Sequence, residues 1–65
     1  MPYRNFGIVG TDCDNQYTMA LHQALQRAII EACELYHTQE VQVISHSLMP
    51  MPGGRFWLTV TVGYN

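Results

Sequence analysis

The sequence predicts an α+β fold of order β-α-β-β. One long helix packs on one face of a three-stranded sheet whose strand order is 1-3-2. Three observations predict it. Residues 55–64, RFWLTVTVGY, place Phe56, Leu58, Val60, Val62 and Tyr64 on one side and Trp57, Thr59, Thr61 and Gly63 on the other. That period of two, in β-branched and aromatic residues, is a strand with two unlike faces. Residues 15–36 carry apolar side chains every three or four positions, with no proline or glycine to interrupt them. The intervening Met49-Pro50-Met51-Pro52-Gly53-Gly54 combines two prolines, which cannot feed a ladder, with two glycines that permit a reversal.

The first strand is read at residues 3–9, with Phe6 and Ile8 on one face and Gly7 weakening it toward an edge position. Residues 10–15 read as a loop, in which Asp12 or Asp14 is the expected helix N-cap and complements the positive helix end. On the helix, Tyr17, Leu21, Ala24, Ala28, Ala32 or Cys33, and Leu35 form the expected apolar stripe, widened by Leu25, Ile29 and Tyr36. His22, Gln23, Gln26, Arg27, Glu31 and Glu34 occupy the other side, and Arg27 with Glu31 has the spacing of an i,i+4 pair. Residues 40–48 form the second strand. Val41 and Val43 share one face but Ile44, His46 and Leu48 the opposite one, a phase change that signals a bulge or burial on both faces. A helix joining the first two strands makes them parallel. The hairpin then returns the third strand between them, antiparallel to both.

A single domain accounts for all 65 residues. A chain this short buries only about 60% of its unfolded surface, so small domains lean on disulfides, metals or assembly. Charged residues make up 12% of the chain, against about 25% in ordinary globular domains. Too few charges remain to solvate every side, which points to a homo-oligomer. The net charge of −2 and only three basic residues (Arg4, Arg27 and Arg55) leave no basic stripe for nucleic acid. No run of 18 apolar residues and no signal-like segment appears, so neither membrane insertion nor export is expected. Cys13 and Cys33 lack C-x-x-C spacing and are expected as reduced thiols in a cytoplasmic protein.

With β-α-β-β in hand, the chain resembles the dodecins, small flavin-binding proteins that assemble as hollow dodecamers. Val9-Gly10-Thr11 matches the V-G-T that ends their first strand, and Ala24-Leu25-Gln26-Arg27-Ala28 their helical A-x-x-R-A. Leu58-Thr59-Val60-Thr61-Val62-Gly63-Tyr64 is similar to their closing V-T-L-x-V-G-F. The resemblance implies a non-catalytic homo-oligomer, a dodecamer, binding or storing riboflavin or FMN at subunit junctions. Dodecins stack the flavin on a tryptophan at the start of strand two and hold it with a glutamine early in strand three. Those positions fall here at His37-Thr38 and at Trp57, so the family's ligand-holding pair is not reproduced. Trp57, His37 and Thr38 are therefore the candidate ligand residues, with the indole face available for stacking.

Other chemistry is poorly supported by the residues. His22, His37 and His46 with Asp12, Cys13 and Asp14 show no ligand pair at helical or hairpin spacing, so no metal is expected. Asp12-Cys13-Asp14-Asn15 opens like a calcium loop but lacks its glycine and closing glutamate. Gly7-Ile8-Val9-Gly10 lacks the G-x-G-x-x-G pattern of a phosphate loop. Cys13 near a helix start has one ingredient of a reactive thiol but no partner base. Two other functions compete with the dodecin-like one. One is a protein-interaction module of a mobile element or phage, served by the adaptable Met-Pro-Met-Pro loop. The other is a tautomerase with Pro2 as base once Met1 is removed, aided by Arg4 or Arg55.

Overall fold

A computed structural model describes residues 3–65 of the protein. The elements are β1 (Asn5–Cys13), α1 (Thr18–Tyr36), β2 (Val41–Pro50) and β3 (Phe56–Tyr64). They form one three-stranded sheet in the order β1-β3-β2, with β3 antiparallel to both neighbours. The predicted fold class, strand order and helix are all present.

β3 is central because its apolar face is the most continuous in the chain. Leu58, Val60 and Val62 are fully buried beneath the helix, joined by Val9 and Cys13 from β1. Burying a branched side chain of this size stabilises by about 1.5–3 kcal/mol, so these three valine and leucine side chains together rival the whole stability of a small domain. The helix meets them along an i,i+4 row. Ala24, Ala28 and Ala32 are fully buried, and Ala20 and Tyr36 continue the row at its ends. Alanine brings the helix axis close to the sheet, while Leu21 and Leu25 pack along the flank. Tyr17 and Leu35, expected in this stripe, lie off the row and are 71% and 55% exposed.

Three local expectations are corrected. β1 continues through Gly10, Thr11 and Asp12 to Cys13, where a loop was expected, because all nine residues of β3 find partners along it, from Asn5↔Tyr64 to Cys13↔Phe56. Neither Asp12 nor Asp14 caps the helix. Tyr17 is the N-cap without a side-chain bond, and the Asn15 side chain accepts from the Tyr17 N–H at 2.9 Å, so that local turn delays helix entry to Thr18. Arg27 forms no ion pair with Glu31; its guanidinium instead donates to the Asp12 carbonyl at 2.6 Å and ties α1 to the end of β1.

The phase change in β2 is a bulge. The register steps from Val43↔Val62 to Ser45↔Thr61, leaving Ile44 as the extra residue. Ile44 thereby joins the face away from the helix, where its side chain lies against Gly63. The hairpin closes with Met51 N–H donating to the Arg55 carbonyl at 2.8 Å. Gly53 and Gly54 hold φ of 87° and 78°, a conformation other residues rarely adopt.

Candidate functional site

The sheet face opposite the helix has no second layer. Its residues alternate outward along each strand: Phe6, Ile8, Gly10 and Asp12 from β1, Trp57, Thr59, Thr61 and Gly63 from β3, and Gln42, Ile44, Ser45, Ser47 and Met49 from β2. Five of them are large apolar side chains standing 39–65% exposed, namely Phe6, Ile8, Ile44, Met49 and Trp57. So many large apolar side chains exposed on one sheet face are a feature of interaction surfaces.

Two glycines shape this face. A Cβ on Gly10 would sit 2.6–2.8 Å from atoms of the Trp57 indole, and one on Gly63 would sit 2.6–2.7 Å from the Tyr3 ring. Each aromatic ring therefore lies against bare strand backbone, in space that any side chain would claim. On the helix side Gly7 does the same for Tyr36, whose ring also stacks on Tyr64 with centroids 4.2 Å apart. Three of the sheet's glycines are thus seats for aromatic rings, a close-approach role that a glycine inside a strand pattern signals in the sequence.

Trp57 pairs with Met49 on one side and Asp12 on the other, at the hairpin end of the sheet. With its inner side on Gly10, its remaining exposure of 39% leaves an outer surface available for contact. His37 and Thr38 sit at the opposite end, at the helix C-terminus just before Val41, which pairs with Tyr64. Seven residue steps along β3 take Trp57 to Tyr64, about 23 Å at 3.3 Å per step. One chain therefore does not bring the three expected ligand residues together.

His37 has a structural task of its own: it closes the helix in the left-handed region with φ of 56°. Its N–H and that of Thr38 both donate to the Cys33 carbonyl, the Thr38 bond measuring 3.2 Å. The Thr38 hydroxyl accepts from the Glu40 N–H at 3.1 Å.

The remaining candidates are dispersed. Cys13 is fully buried, with its thiol donating to the Asn15 carbonyl at 3.0 Å, so it is a core residue rather than an accessible nucleophile. His22 is exposed on the helix and contacts Gln26, while His46 is exposed on edge strand β2. Among the described residues no three His, Cys, Asp or Glu side chains converge, and no helix is long and apolar enough to cross a membrane. Arg55 pairs with Asp14 at 3.0 Å, fastening the hairpin to the β1–α1 connection. Pro2, the base of the tautomerase alternative, lies outside the described residues. No family model, curated protein or solved structure matches the chain.

Proposed function

We propose that this is a non-catalytic protein that, like the dodecins it resembles, assembles with copies of itself, and that it does so through the open face of its sheet. In this reading a planar ligand, riboflavin or FMN, is held at a junction lined by Trp57. The observation that carries the proposal is the uncovered face itself, where five large apolar side chains meet water in a chain of 65 residues. Trp57 favours the ligand half of the reading. Its indole is seated against Gly10, a preorganised platform that loses little freedom when another ring stacks on it. Because His37 and Thr38 stand at the far end of the same chain, any site combining them with Trp57 draws them from a neighbouring copy.

Titration of the protein with FMN, following Trp57 emission, tests the ligand half. Trp57 is the sole tryptophan, so quenching reports on this position alone. The proposal expects saturable quenching, and a Trp57→Phe variant that still shifts the flavin absorption band. Unchanged emission at millimolar FMN contradicts a flavin site at Trp57. A monomer that leaves this face free would turn it to a different protein, with Met49 and Met51 as its adaptable contacts.

A further inference from the structure

The two edges of the sheet are not equally protected. β2 carries the Ile44 bulge and ends in Pro50, two devices that spoil edge-to-edge pairing. β1 has neither. Its nine residues, NFGIVGTDC, run without a break in register, contain no proline or lysine, and bear only one charge, Asp12. The most exposed apolar side chains of the open face, Phe6 at 63% and Ile8 at 65%, also stand on this strand.

We propose that β1 pairs antiparallel with β1 of a second copy across a two-fold axis at Ile8, joining two sheets into one of six strands. The inference rests on the self-assembly reading above and supplies its geometry. The register follows from the side chains. With Ile8 opposite Ile8, Phe6 falls opposite Gly10, and Arg4 falls opposite Asp12, twice by symmetry. Phe6, Ile8, Gly10 and Asp12 share the open face, as directly opposed residues in an antiparallel ladder must, and Arg4 is the residue just before the strand begins.

Each pairing resolves something left open within one chain. Among the described residues neither the Arg4 guanidinium nor the Asp12 carboxylate has a partner; only their backbone groups are engaged, Arg4 N–H with Asn65 and the Asp12 carbonyl with Arg27. Opposed on neighbouring strands, the two charges attract. Gly10, bare but for the Trp57 ring lying on it, receives the partner's Phe6 beside that indole, and each copy thus closes one flank of the other's Trp57. The two Ile8 side chains cover each other on the axis. A centre at Val9 is a poorer match: it sets Asp12 against Phe6, and Arg4 against Asp14, which already pairs with Arg55.

Charge exchange tests the register. Arg4→Asp sets aspartate against Asp12, and Asp12→Arg sets arginine against Arg4; both positions are exposed, so circular dichroism should be unchanged. Sedimentation across a dilution series should show each single variant dissociating at about tenfold higher concentration, and the double variant Arg4→Asp/Asp12→Arg returning to within about twofold of the starting protein. Single variants that assemble unchanged overturn this pairing while leaving assembly through the rest of the open face standing. Single variants that weaken without rescue in the double overturn it as well. A starting protein that is monomeric at every concentration overturns both the pairing and the self-assembly reading.

Discussion

On the helix side of β3, Leu58, Val60 and Val62 are inaccessible to water; on the other side Trp57 and Thr59 belong to a face that no second layer covers. The two faces differ in what lies above them more than in their own capacity for burial. Phe6, Ile8, Ile44 and Met49 are as apolar as the residues under the helix. The difference follows from the chain's one helix of 19 residues and from the alanine row that seats it. A helix settled that closely excludes water from one face completely, and nothing else in the chain is large enough to do so for the second. One face therefore makes the fold, and the other has no second layer of the described residues above it.

That contrast is broken most forcefully from the covered side. Leu58→Ala removes a fully buried side chain beneath the helix and is expected to cost about 2–5 kcal/mol, enough to abolish a cooperative urea transition at a fixed protein concentration. The double variant Phe6→Ser/Ile8→Ser should behave in the opposite manner. It removes more apolar surface from water contact than it removes from the core, so a monomer's midpoint moves by no more than about 0.5 kcal/mol per site while assembly is lost.

Gly10→Ala probes the seat of Trp57. The new methyl group would lie 2.6–2.8 Å from the indole, which must tilt off the strand, and a cost of about 1 kcal/mol with a red-shifted tryptophan emission is expected. The smallest effect is reserved for Asp14→Asn. Its pair with Arg55 joins side chains that are 75% and 55% exposed, and solvent screening holds its worth below about 0.5 kcal/mol, readable as a slight shift in thermal midpoint that vanishes in high salt.

How much of this was legible in the sequence differs between the same two faces. The covered face could be read in detail, since the alternation of Leu58, Val60 and Val62 and the helical spacing of Ala24, Ala28 and Ala32 are both direct consequences of burial. The out-of-phase valines and Ile44 allowed a bulge or burial on both faces, and the register shift decides for the bulge. The end of β1 was not legible: Gly10, Thr11 and Asp12 have the composition of a turn, and only the matching length of β3 makes them strand. The polar bonds at the helix start were misread for a related reason, because Asp14 is drawn to Arg55, a residue distant in sequence. On the open face, Trp57 was recognisable as an outward residue, but its seat on Gly10 depends on a cross-strand diagonal that no local pattern reports. Nor could spacing along the chain reveal that His37 and Thr38 lie a sheet's length from it.

The central claim, that copies of the chain cover the open face, is tested most directly by the molar mass in solution from light scattering across a hundredfold dilution. Self-assembly gives a mass that is a multiple of 7.4 kDa and falls toward that value as the protein is diluted or as Phe6 and Ile8 are changed to serine. A constant 7.4 kDa at every concentration, with Trp57 emission that of an indole in water, would contradict it.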